Sequence, residues 1–263
     1  MSMLWIAVVL GIVEGVTEFL PISSTGHLIL ASDLLGFEGR RAEVFQIFIQ
    51  LGAILSVVWA YRQRLTRQVM QLPRSARAQG FIIRLFVAFL PSAVLGLLLH
   101  EYLLERLFYP ATVALALIVG ALLILLVEAL PLRVSTHELG SVTMKQAVGI
   151  GLSQCLALWP GFSRSAATIL GGLSSGLDRR AATEFSFFLA IPTMFAATLY
   201  SLFKRYQWLE PGDAIWLALS FVISFFVALA AIRWFLHYVS THSFVVFAWY
   251  RLAVGVVVLL VLA

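Results

Sequence analysis

The sequence predicts an all-α polytopic membrane protein in which six transmembrane helices and two re-entrant helical hairpins form an inverted-topology repeat. Three observations predict it. The 263 residues are 61% hydrophobic and only 12% charged, about half the charge a water-exposed surface carries. Several apolar runs reach the roughly 20 residues that cross a bilayer as a helix; Leu103 to Leu132 holds only Glu105, Arg106 and Glu128 as charges. The chain is also written twice. Pro21 matches Pro160, Arg40-Arg41-Ala42 matches Arg179-Arg180-Ala181, and Tyr61 matches Tyr200, each pair displaced by 139 residues. The roughly 10-residue alternating segments of a membrane β-barrel do not occur.

Taken in order, residues 3–35 read as an apolar helix, a Pro/Gly/Ser break and a second short helix. Each arm is too short to span, so the segment reads as a re-entrant hairpin, its polar tip tolerated only inside protein or beside a wet cavity. Full crossings follow at 43–61, 82–100 and 111–131, closing a first repeat over 1–131. The second repeat, 132–263, has the same plan: a hairpin at 146–176 and crossings at 183–203, 214–235 and 244–262. Three crossings per repeat is an odd number, so the second copy enters the membrane upside down. The two hairpins then dip in from opposite faces and meet near the midplane, where such repeats place their sites. Residues 1–263 thus make a single membrane domain.

Orientation follows from Lys and Arg in the short loops. Eleven fall on the side of the 62–84 loop and five on the other (Arg40, Arg41, Arg106, Lys204, Arg205). This places that loop in the cytoplasm, and both termini and the mouth of the first hairpin outside. The start "MSMLWIAVVLGIVEG" has neither a basic leader nor an A-x-A site, so no cleaved signal peptide is expected. Cys155 is the single cysteine, which excludes an intramolecular disulfide and a cysteine-ligated metal. The formal charge of +5 is ordinary loop basicity and calls for no nucleic acid.

Charges at bilayer depth are costly enough to need reasons. In "EGVTEFLPISSTGH", Glu14 and Glu18 stand at i and i+4, on one face of the first hairpin helix. Such a pair repels unless a cation or a shared proton lies between them. Oxygen-only ligands suit a hard divalent cation, Mg²⁺ or Ca²⁺; two glutamates facing water at the hairpin mouth is the plainer alternative. After the break, Ser23, Ser24 and Thr25 open a helix, offering caps and free N–H groups for an anion. His27 suits acid–base work near neutrality, or else is a hydrogen-bonded packing residue. In "PGFSRSAAT", Arg164 stands between Ser163 and Ser165, with Thr168 one turn on. A guanidinium fork matches phosphate oxygens; the alternative is a counter-ion for Glu14 or Glu18. Glu128, His100 and Arg251 lie near span ends, where snorkelling or local pairing accounts for them. The Glu38–Arg41 and Asp178–Arg180 charges read as solvated loops, and Gln46, Gln50 and Glu184 as second-rank polar groups.

The EGVTE stretch, the PISSTGH that follows and the PGFSRSAAT stretch together resemble the signature regions of the bacterial undecaprenyl-diphosphate phosphatases, the bacitracin-resistance family of membrane enzymes. The resemblance extends over the chain's length and span pattern, with no departure at a motif position. It implies hydrolysis of undecaprenyl diphosphate to undecaprenyl phosphate and inorganic phosphate, resupplying the lipid carrier for peptidoglycan and envelope glycans and conferring bacitracin resistance. It also implies an inner-membrane location, a site on the periplasmic side and a divalent cation. The residues it marks are Glu14, Glu18, Ser24, His27, Ser163, Arg164, Ser165 and Thr168. On this reading Glu14 and Glu18 hold the cation, while Arg164, Ser163, Ser165, Thr168 and Ser23 grip phosphate. Ser24 attacks with His27 taking its proton, or His27 or a glutamate activates water directly. The partners are a polyprenyl diphosphate lipid and the bilayer, with a homodimer left open. The same architecture suits a transporter or flippase of polyprenyl phosphate lipids, which has no need of a His-Ser pair beside paired carboxylates.

Overall fold

A computed structural model describes residues 2–107, 109–210 and 212–262. The first half of the chain forms α1 (Met3–Thr17), α2 (Ser24–Leu34), α3 (Arg40–Ala60), α4 (Arg62–Gln71), α5 (Ala76–Leu98), α6 (His100–Leu107) and α7 (Pro110–Ala129). The second half forms α8 (Met144–Gln154), α9 (Arg164–Ser174), α10 (Arg179–Arg205), α11 (Asp213–Val239) and α12 (Val245–Leu262). The chain is an all-α, multi-pass membrane protein. Helices α3, α5, α7, α10 and α11 are each long and apolar enough to cross a bilayer. The sixth expected crossing falls on α12, a shorter apolar helix than these five, rising about 27 Å over its 18 residues. By contrast α1 and α2, with 15 and 11 residues, rise only about 22 and 16 Å. They are the two arms of the first hairpin, and α8 and α9 are those of the second. Pro110 opens α7, and Thr143 with Gln146 forms a capping box on α8.

Helices α4 and α6 lie between the expected crossings. Leu65 and Val69, with Leu72 at the C-cap, recur at helical spacing on one side of the arginine-rich α4. Amphipathic periodicity therefore folds a segment whose charge alone suggests a loop.

Each half's first hairpin arm packs on the other half's middle span, α1 on α11 and α8 on α5. Also packed across the two halves are α3 with α10 and α7 with α12. The α1–α11 approach depends on Gly11 and Gly15, one turn apart: a Cβ on Gly15 would lie 2.7 Å from Val227 Cβ and 2.8 Å from the Ser224 carbonyl. This is small-residue packing of the kind that joins membrane helices.

Two of the supposed loop charges are instead clips between the halves. Arg41 pairs with the buried Asp213 and with Glu210, and Arg179 holds Glu128 at 2.5 Å. Glu128 also accepts the Phe244 N–H at 2.9 Å. At the centre, Phe19, Leu20 and Ile22 of the first tip are buried with Phe187, Phe188 and Phe235. Phe162 of the second tip is buried with Ala116 and Ala167. Both breaks therefore sit inside protein, as non-helical backbone at membrane depth requires.

Candidate functional site

Among the described residues, only two non-glycine residues have positive φ, Ser23 at 72° and Ser163 at 78°. They are the N-caps of α2 and α9. Each turns the chain from the tip into its helix and accepts a first-turn N–H on its hydroxyl, from Gly26 at 3.4 Å and Ala166 at 3.2 Å. Such conformations cost about 1–3 kcal/mol and persist where the surroundings fix them. A test follows for the second cap. Ser163→Ala loses the cap and keeps the strain, whereas glycine adopts that φ freely and is nearly as good a cap. Thermal unfolding in detergent is expected to show Ser163→Ala less stable than Ser163→Gly by about 1 kcal/mol.

The matching caps change the register between the halves. Pro21 and Pro160 are 139 residues apart, but the second tip holds one extra residue before its cap, so Ser23 corresponds to Ser163 and Ser24 to Arg164. The 139-residue period of the flanking segments therefore shifts to 140 at the caps. Ser24 and Arg164 are thus the first residues of equivalent helices.

The two side chains meet at Glu18. Ser24 Oγ donates to Glu18 Oε2 at 2.5 Å, and Arg164 Nη2 donates to Glu18 Oε1 at 3.4 Å. Arg164 is steadied by the Ser186 carbonyl and hydroxyl, 3.1 and 3.3 Å from Nη1, and lies over the Phe19 ring. Its Nε is buried with no partner among the described residues. Arg164 is thus a counter-ion for Glu18, the alternative that its position between two serines left open.

The remaining hydroxyls of the second tip build it. Ser165 Oγ crosses to the Leu20 carbonyl of the first tip at 2.7 Å and meets Ser163 Oγ at 3.0 Å. Thr168 Oγ1 meets Ser186 Oγ at 2.6 Å and lies 2.9 Å from the Arg164 carbonyl. Ser165 and Thr168 are fully buried, so these groups lock the tip rather than present free donors.

His27 departs from expectation. Its Nδ1 lies 2.7 Å from the Ser23 carbonyl, which can only accept, so Nδ1 carries a proton. Nε2 lies 2.7 Å from the Tyr250 hydroxyl, with the two rings stacked at 5.5 Å. Both ring nitrogens are engaged away from Ser24, whose hydroxyl partner is Glu18. The Ser24 hydroxyl therefore meets the Glu18 carboxylate rather than the His27 ring. Its one-turn spacing from Ser23 lets a helical side chain reach back to the cap carbonyl. Tyr250 carried no sequence signal, since it belongs to an apolar run with no motif.

Arg251 is the other correction. It does not snorkel, being fully buried and bonded to carbonyls of both tips. Gln46, Gln50 and Glu184 have partners elsewhere: Ser32, Thr198, and Arg64 with Arg180.

The carboxylate pair fits a divalent cation. Glu14 is wholly buried and neither of its carboxyl oxygens has a hydrogen-bond partner among the described residues, with Glu18 beside it. Arg164 pairs with Glu18 only, and the unpartnered Glu14 oxygens beside it are hard donors of the kind that suit Mg²⁺ or Ca²⁺. No cluster of three or more His, Cys, Asp or Glu that could hold a metal occurs among the described residues, so water or substrate oxygens would complete the shell.

Comparison with known proteins places the chain in a family. The family model for the bacitracin resistance protein BacA matches residues 7–257. A protein named undecaprenyl-diphosphatase from Nitrosospira multiformis is 55% identical over 252 residues, 96% of this chain and 92% of the relative. Those of Nitrosomonas europaea and Ectopseudomonas mendocina are 53% and 52% identical, covering 97% and 96% of this chain and 93% and 92% of theirs. The chain belongs to the bacitracin resistance protein BacA family.

Proposed function

We propose that this family member hydrolyses undecaprenyl diphosphate to undecaprenyl phosphate and inorganic phosphate where its two re-entrant tips meet. It thereby recycles the lipid carrier of peptidoglycan and envelope glycan synthesis and confers bacitracin resistance. The observation that carries the reading is the Ser24–Glu18–Arg164 chain of contacts, a hydroxyl, a carboxylate and a guanidinium drawn from both halves. Phosphoryl transfer asks mainly for positioning and charge neutralisation, and the N-terminal ends of α2 and α9 both add positive potential there.

In the first step Ser24 Oγ bonds the terminal phosphorus while Glu18 Oε2 takes the hydroxyl proton. The bridging P–O bond breaks and undecaprenyl phosphate leaves. Arg164 holds the oxygens of the transferred group. Water then attacks the phosphoserine, Ser24 recovers its proton from Glu18, and inorganic phosphate departs. Glu14 and Glu18 would hold a divalent cation, which would supply further neutralisation of the diphosphate charge. His27 fixes the Ser23 carbonyl and so the cap from which Ser24 projects. An apolar groove of about 400 Å³, lined by Val9, Val13, Leu30 and Leu34 together with His27, receives the first isoprene units.

The excess of Lys and Arg on the 62–84 side supports a cytoplasmic (inner) membrane protein with its termini and site mouth in the periplasm. Reciprocal packing and the paired Ser caps support 1–131 and 132–263 as inverted repeats. One chain supplies both tips, so the chemistry requires no homodimer.

Purified protein in detergent is expected to release phosphate from undecaprenyl diphosphate, to lose that activity in EDTA and to regain it with Mg²⁺ or Ca²⁺. Glu14→Gln is expected to raise the half-activating metal concentration by at least about 10-fold, the low end of what losing even an outer-shell partner costs. Release of no phosphate with metal present would favour the transporter or flippase reading. Activity indifferent to EDTA would remove the cation from the mechanism.

A further inference from the structure

Arg251 is a cation two turns inside α12 with no surface exposed and no ion-pair partner among the described residues. A charge so placed is costly unless its donors are satisfied. Here four of its five N–H donors reach main-chain carbonyls. Nε reaches Leu117 at 3.2 Å, Nη1 reaches Pro21 at 3.0 Å, and Nη2 reaches Ala116 at 3.1 Å and Gly161 at 3.3 Å. Ala116 and Leu117 belong to α7, Pro21 to the first tip and Gly161 to the second.

The two tip carbonyls stand in equivalent places. Pro21 lies three residues before Ser24 and Gly161 three residues before Arg164. One rigid guanidinium thus grips both breaks at the same distance from the first residue of each site helix. The room for it is specific as well: a Cβ on Gly120 would lie 2.0 Å from Arg251 Nη2. A small hydrophobic residue at 251 would fill space but leave two tip carbonyls unpaired at membrane depth. A lysine offers three donors from a single point and cannot reproduce the planar fork.

We propose that Arg251 is a positioning residue for the reaction, fixing the Pro21 and Gly161 carbonyls and so setting the separation of Ser24 from Arg164. The inference rests on the phosphatase reading for its effect on turnover, but its effect on the tips stands apart from that reading.

Arg251→Lys and Gly120→Ala, the second displacing the guanidinium without altering it, test the proposal. In each, kcat per folded molecule is expected to fall by about 10²-fold, the effect of small misplacements of reacting groups, while KM changes less than threefold. Amide hydrogen exchange over 19–26 and 159–166 is expected to quicken in both tips together. Combined with Arg164→Lys, Arg251→Lys is expected to add less than its own single effect, since both act on one geometry. The proposal is overturned if either folded variant keeps kcat within twofold of wild type, or if faster exchange is confined to α12. It is equally overturned if neither variant folds, because Arg251 is then a staple of the fold. Wild-type protein that releases no phosphate would count against the phosphatase reading alone, with tip exchange still reporting on Arg251.

Discussion

Arg164→Ala is expected to lower kcat/KM for phosphate release by about 10³-fold or more, the lower range for removing an arginine that stabilises a transferring phosphoryl group. That corresponds to about 4 kcal/mol of transition-state stabilisation. The residue begins α9, touches Glu18 across the tip interface and is held by Ser186, so its fork is already in place before substrate arrives. Part of any loss could come from folding, because the substitution leaves Glu18 beside Glu14 without its cation. Breaking a buried pair from one side costs about 3–5 kcal/mol. The double variant Arg164→Met/Glu18→Gln separates the two effects: it removes both charges and is expected to recover thermal stability without recovering turnover. Arg164→Lys is expected to remain folded and yet lose most activity, since a point charge lacks the bidentate geometry. A folded Arg164→Ala enzyme retaining more than a tenth of wild-type kcat/KM would remove Arg164 from the mechanism.

What the sequence could reveal divides along physical lines. Hydropathy and length located every long helix, because a bilayer imposes about 20 apolar residues on any crossing. Short arms around Pro21 and Pro160 were legible as hairpins for the same reason. Pairing within the site was not. Whether Ser24 turns to Glu18 or to His27 depends on the positive φ of Ser23, and a serine in that conformation carries no composition signal. The extra residue that the second tip holds before its cap is hidden by the 139-residue period of the flanking segments.

Arg251 was misread for a related reason. Its distance from the end of α12 permits snorkelling, and spacing cannot tell whether a helix face meets lipid or the carbonyls of another segment. The main-chain carbonyls that receive it belong to Pro21, Ala116, Leu117 and Gly161, four residues whose side chains announce nothing. A buried cation satisfied by backbone is visible only once the backbone is in place. Glu128 and Arg179 were legible as charges and not as a pair, since 51 positions separate them.

The second large effect belongs to Ser24. Ser24→Ala is expected to reduce kcat by at least about 10³-fold, as loss of a nucleophile removes the chemical step itself, with little change in thermal stability. The hydroxyl makes one hydrogen bond, to Glu18, and Glu18 keeps Arg164 as its partner when that bond is lost. Position supports the nucleophilic role over simple phosphate binding. Ser24 is the first residue of α2, at the positive end of the helix, with a carboxylate 2.5 Å away to receive its proton. Glu18→Gln keeps the shape of that contact but not its basicity. It is therefore expected to slow formation of the phosphoserine rather than to weaken substrate binding. Rapid quenching with substrate labelled in the terminal phosphate discriminates the routes. Label on Ser24 in wild type, and none in Ser24→Ala, fits the covalent path. Should Ser24→Ala keep more than a tenth of wild-type kcat, water attacks phosphorus directly and Glu18 is the group that activates it.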